Sequence, residues 1–134
     1  MPIGDTTITV AGNLTADPEL RYTGTGVAVA AFTVAASRRV YDQETGRWKD
    51  GDTLFLRCSA WRQLAEHVTE SLSKGSRAIV TGRLRQRDYE TTDGQKRTAY
   101  EVDADDAGPS LRFATASGIQ ARLQLPGTDP LESA

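Results

Sequence analysis

Asp52-Thr-Leu-Phe-Leu-Arg-Cys-Ser-Ala-Trp61, followed by Leu64-Ala-Glu-His-Val68, is the stretch on which the reading of this chain turns. Across the first ten residues alternate positions separate into Leu54, Leu56, Cys58 and Ala60 on one side and Phe55, Arg57, Ser59 and Trp61 on the other. A period of two is that of a strand, here with one core face and one aromatic, basic face. The period then changes. Leu64, Val68 and Leu72 recur every four residues beside Ala65, which predicts an amphipathic helix with Lys74 in its last turn and Gly75 as its stop.

Downstream, Arg77 to Tyr89 alternates again and places Arg83, Arg85, Arg87 and Tyr89 on one face with Leu84 behind them. Thr92-Asp-Gly94 makes a turn, and Lys96 to Ala104 sets Tyr100 and Val102 against Glu101 and Asp103 as a last central strand. Ser110 to Ala116 leaves room for a short extra C-terminal strand. Upstream, Thr6 to Ala11 reads as a strand ending in a Gly12-Asn13 turn, and Glu19 to Tyr22 as a short extended piece. Val27 to Ala36 is apolar at both parities except Thr33, as in a strand buried on both faces or lying in a subunit interface. Ser37 to Gly51 is polar and reads as a projecting hairpin loop. A single helix between the third and fourth of five principal strands predicts an all-β, five-stranded barrel of the OB type.

At 134 residues and 14.5 kDa the chain is one domain. Residues 1–119 are expected to form the folded unit, with 120–134, which holds Pro126-Gly127 and Pro130, as a flexible tail. No apolar run approaches the ~20 residues of a membrane span, and Met1-Pro-Ile-Gly-Asp5 has no leader pattern, so a cytoplasmic protein without a membrane partner is expected. Cys58 and His67 are single, which removes zinc clusters and disulfides within the chain. A Cys58 bridge would have to join two chains, against a reducing cytosol.

Catalysis is not expected, and neither is a cofactor or metal. Gly46 to Thr53 has the glycine spacing of a phosphate loop but carries Asp52 where the lysine must stand. His67 has no nucleophile at a motif spacing. Asp103, Asp105 and Asp106 read as solvated strand-end carboxylates rather than a nuclease metal site.

Net charge is -2, but residues 1–99 carry 14 Lys/Arg against 12 Asp/Glu, whereas 100–134 carry two against six. Local patches therefore decide the partner. Aromatic rings offer stacking faces to bases, and Arg and Lys meet phosphates, so alternating aromatic and basic faces suit single-stranded nucleic acid. Phe55, Trp61 and Tyr89 are the stacking candidates, joined by Trp48 and Tyr41 from the connecting segment. Arg38, Arg39, Lys49, Arg57, Arg83, Arg85 and Arg87 are the phosphate candidates. Each feature has an ordinary counterpart: Trp61 packing beneath the helix, Phe55 in the core, the arginines as a solvated face. A barrel whose exposed face binds protein within a DNA-processing assembly is the other function the pattern admits.

Gly12-Asn-Leu-Thr-Ala-Asp-Pro-Glu-Leu-Arg-Tyr22, the apolar strand through Ser37, Asp42 to Gly46, Leu64-Ala-Glu66, Lys74-Gly-Ser76 and Gly82-Arg-Leu-Arg85 fall in one order within residues 6–113. This set resembles the bacterial single-stranded DNA-binding proteins. Asp5 to Tyr22 and Pro109-Ser-Leu-Arg-Phe-Ala-Thr115 are similar to actinobacterial members, where the latter segment resembles an added strand clamping subunits. The resemblance implies an OB fold, a homotetramer, and DNA wrapped over several subunits during replication, recombination and repair. By position it puts Phe55 at the family's third-strand tryptophan, Trp61 at the phenylalanine before the helix, and Tyr89 at the tryptophan beyond the basic strand. Val40 falls where the family often has tryptophan, with Tyr41 or Trp48 as substitutes. Typical members end in an acidic tip closing in Pro-Phe that recruits replication and repair proteins; Asp129-Pro-Leu-Glu-Ser-Ala134 differs. A shortened chain or a paralogue is implied, with DNA binding kept and recruitment through the tip lost.

Overall fold

The computed structural model describes residues 3–116, so the tail expected at 120–134 lies outside the described residues. Its elements in order are β1 (Thr7–Leu14), β2 (Glu19–Tyr22), β3 (Ala28–Asp42), β4 (Arg47–Trp61), α1 (Gln63–Ser71), β5 (Arg77–Glu90) and β6 (Lys96–Pro109). The hydrogen-bonded order is β1-β5-β6-β4-β3-β2, with an added pairing of β1 to β3 that returns the sheet on itself. Five strands make the ring, and β2 pairs with β3 alone. With β4 and β6 parallel and the helix after β4, this is the OB arrangement read from the sequence; the short β2 is an addition to it.

Closure depends on two glycines. β1 pairs with β5 over Thr7 to Asn13, then with β3 through Asn13↔Ala35 and Leu14↔Val34. A Cβ at Gly12 would strike the carbonyl of Ala35, and one at Gly82 the carbonyl of Asp103. Gly12-Asn13 is therefore not the turn the sequence suggests. It is the bend at which the strand changes partner, a place where glycine admits a close backbone approach.

Inside the ring, Val10, Leu14, Phe32, Val34, Leu56, Cys58, Val80 and Val102 form the core, with Ala30, Ala60 and Ala78 filling tight positions between them. Helix α1 adds Ala65 and Val68 from the face its fourfold spacing predicts. It is shorter than expected. Leu72 is buried in extended backbone, and Lys74-Gly75 forms a separate turn instead of the helix end. That turn is pinned to the start of the chain: Lys74 N–H donates to Asp17 Oδ1 at 2.7 Å, Gly75 N–H to the Leu14 carbonyl at 2.9 Å, and Asn13 Nδ2 to the Gly75 carbonyl at 2.9 Å.

The largest difference from the sequence reading is at 37–51. The polar segment is not a loop. β3 and β4 stay paired from Val29↔Trp61 out to Asp42↔Arg47, and the arm closes where Gly46, at φ +69°, donates its N–H to the Asp42 carbonyl at 2.8 Å. Both faces of this arm meet water, so no apolar alternation marks it as strand. Leu54 is likewise not core: it pairs with Ala36 where β4 leaves the barrel, and is exposed. Within the single chain β3 buries one face and half-buries the other. Residues 110–116 form no strand; Ser110 N–H donates to the Arg77 carbonyl at 2.8 Å, and the Arg77 guanidinium lies 5.2 Å from the Phe113 ring centre. Among the described residues no helix is long and apolar enough to cross a membrane.

Candidate nucleic-acid interface

Residues that face each other across a ladder point to the same side of the sheet. One row reads Thr33, Arg57, Glu101, Arg85 across β3, β4, β6 and β5; the next reads Ala31, Ser59, Asp103, Arg83. Phe55 and Trp61 flank these rows on β4, opposite Ala35 and Val29, while Arg87 and Tyr89 continue β5 opposite Ala99 and Arg97. Register alone thus puts Phe55, Arg57, Trp61, Arg83, Arg85, Arg87 and Tyr89 on the outer face of one continuous sheet. Phe55 is 63% exposed, Trp61 41% and Tyr89 43%, and none belongs to the core. Trp61 does not pack beneath the helix, and the phenylalanine of the core is Phe32. Small side chains on β3, Ala31, Thr33 and Ala35, leave the rings of β4 standing above their surroundings.

Strict alternation would turn Trp48 away from Phe55. A bulge prevents this. Between Ser37↔Thr53 and Arg39↔Asp50, β3 advances two residues and β4 three, which inverts the parity of β4 beyond that point. Gly51 sits in the bulge, where a Cβ would come within 2.7 Å of Val40 Cγ2. Trp48 therefore shares the face of Phe55 and stands opposite Tyr41, with ring centres 5.4 Å apart and planes tilted by 60°. Arg39 is on that side as well. Arg38, Val40 and Lys49 are on the reverse of the arm.

The cations are less free than the sequence suggests. Arg85 Nη1 donates to Asp103 Oδ2 at 2.8 Å, Arg87 Nη2 lies 3.0 Å from Glu101 Oε1, and Arg83 Nε lies 3.5 Å from Asp105 Oδ1. Arg39 sits 3.6 Å from Asp50, and Lys49 3.8 Å from Asp42. Of the seven phosphate candidates, Arg38 and Arg57 have no ion pair among the described residues. Asp103 and Asp105 are thus counter-charges of β5, not idle strand-end carboxylates. The hydrogen bond and charge of Asp103 push the Arg85 pKa up, keeping it protonated. The Arg87 guanidinium lies 5.6 Å from the Tyr89 ring centre, so it also holds the flank of that ring.

One cation escaped the sequence reading. Arg97 pairs with Tyr89 in register and so joins the outer face; its parity with Glu101 and Asp103 was the available signal. Cys58, by contrast, points inward opposite Phe32, where burial pushes its thiol from the ordinary 9.0 up to about 12. A bridge to a second chain would require opening the barrel.

The model of the single-strand binding protein family matches residues 5–110. The chain belongs to that family. All residues of the ring-bearing face lie within the matched span. A single-stranded DNA-binding protein of Mycobacterium tuberculosis is 65% identical over 113 residues, covering 84% of this chain and 69% of that protein. Single-stranded DNA-binding protein 2 of Streptomyces coelicolor is 60% identical over 113 residues, 84% of this chain and 57% of its own length. A crystal structure of the small single-stranded DNA-binding protein from Streptomyces coelicolor superimposes with a TM-score of 0.72 at 34% identity, covering 81% of this chain and 97% of the other.

Proposed function

We propose that this member of the single-strand binding protein family binds single-stranded DNA with little regard to base sequence and protects it during replication, recombination and repair. The observation that carries the reading is the register that gathers Phe55, Trp61 and Tyr89 on one outer face, with Tyr41 and Trp48 added by the bulge. Each ring can take a base by stacking, which contributes about 1–3 kcal/mol, and no ring needs a particular base because every base has a π-face. Arg57 and Arg39 meet phosphates along the same path, beside β5 arginines that are paired with carboxylates. Nothing is transformed chemically; the activity is binding. Residues 1–119 carry DNA contact and self-association into a tetramer, so that one strand crosses several subunits and gains by avidity. The setting is the cytoplasm, on nucleoid DNA, and residues 120–134 take no part in the contact.

Titration with oligothymidylate tests this. Both Trp48 and Trp61 report on the face, so their fluorescence should be quenched on binding, with affinity falling as salt rises. Weak, salt-sensitive association without quenching would overturn the stacking face and favour a surface that binds protein.

A further inference from the structure

The outer face of β5 and β6 carries four arginines and three carboxylates: Arg83 is paired with Asp105, Arg85 with Asp103 and Arg87 with Glu101, while Arg97, across from Tyr89, has no ion pair among the described residues. The pairs follow from register, because Arg85 stands directly across from Glu101, and Arg83 from Asp103, with each guanidinium reaching one row along. In each of the two shortest pairs, at 2.8 and 3.0 Å, the carboxylate is mostly buried at the foot of the sheet while the guanidinium is exposed. With so little exposed surface, these carboxylates have little room to turn into solvent when a polyanion approaches. A phosphate reaching Arg85 or Arg87 meets a guanidinium whose charge is already matched, with a negative group within a few ångströms. Arg57, in the same row, has no such partner among the described residues.

We propose that Glu101 and Asp103 are affinity-limiting residues: they act as built-in competitors for phosphate, so that Arg85 and Arg87 add little net attraction, and electrostatic attachment on this face rests on the unpaired Arg57 and Arg97. The inference rests on the DNA binding proposed above. Its consequence is a salt dependence shallower than the number of arginines on the face implies.

The test is the dependence of log affinity for oligothymidylate on log NaCl concentration, measured for the parent protein, Asp103→Asn and Glu101→Gln. For single strands each phosphate contact contributes about 0.7 to that slope, which corresponds to about fivefold in affinity at 0.1 M salt. Each substitution should steepen the slope by about 0.7 and tighten binding about fivefold; together they should reach about 25-fold. Arg85→Gln should hardly change the slope in the parent, yet in the Asp103→Asn background it should remove the added 0.7. A loss of fold or mass would not produce this conditional pattern. Should one substitution disturb the fold, the other examines a separate pair. Neutral variants that bind no tighter at an unchanged slope, or that bind more weakly, would overturn the inference, the latter by making the carboxylates positioning groups for the arginines. A parent protein that does not bind oligothymidylate would instead refute the proposed function itself.

Discussion

Phe32 and Phe55 lie on adjoining strands and differ in one respect, the side of the sheet they occupy. Phe32 faces Cys58 inside the ring and is 4% exposed, whereas Phe55 faces Ala35 on the outside and is 63% exposed. Truncating a buried phenylalanine to alanine costs about 3–5 kcal/mol, so Phe32→Ala should remove a large share of the ~5–15 kcal/mol that such a domain possesses. Phe55 buries only about a third of its surface, which scales the same cost to about 1–2 kcal/mol. Its loss should appear in binding, because one stacked base is worth about 1–3 kcal/mol, a five- to roughly 150-fold drop in affinity. Phe55→Ala keeps Trp48 and Trp61, so tryptophan quenching by oligothymidylate still reports the titration, and urea unfolding gives the stability. A Phe55→Ala protein that binds normally but has lost as much stability as Phe32→Ala would refute the assignment of faces.

The arm yields a second contrast: Trp48→Ala should weaken oligothymidylate binding by about 1–3 kcal/mol, while Val40→Ala, on the reverse side, should leave it within twofold; titrations read by Trp61 quenching distinguish them, and equal effects would mean that the bulge does not sort the two residues. The Cys58 thiol predicts a pH dependence. Its pKa is pushed to about 12 in the folded protein against 9.0 when exposed, so folding holds it neutral. That contribution is complete below pH 9 and is lost as pH rises toward 12, because the unfolded chain gives up the proton first. Urea midpoints should fall over that window and fall less in Cys58→Ala, whose own midpoint starts lower; a parallel decline would remove Cys58 as the cause.

Much of the site is legible because it is written in alternation along single strands. The switch from a period of two at Asp52–Trp61 to a period of four at Leu64–Leu72 fixes a strand, a helix and the side of β4 that carries Phe55, Arg57 and Trp61. Those are statements about neighbours in the chain, and sequence carries them directly. The arm at 37–51 escaped because a ribbon with water on both faces has no apolar rhythm to read. Leu54 departs from its parity for a related reason: alternation gives its side of the strand but not the point at which the strand leaves the barrel.

What the tertiary structure decided depends on which residues meet across strands. Alternation could not foresee that Gly51 re-phases β4 and brings Trp48 to the side of Phe55, since a bulge exists only relative to a partner strand. Nor could it foresee that the arginines of β5 would be matched by Glu101, Asp103 and Asp105, because those carboxylates lie 14 to 22 residues away and reach them only through register. The sequence by itself determined the kind of face each strand presents, since side-chain direction is a local property of extended chain. The tertiary structure determined how those faces add up, since charge and stacking area combine only between groups that pairing has placed side by side.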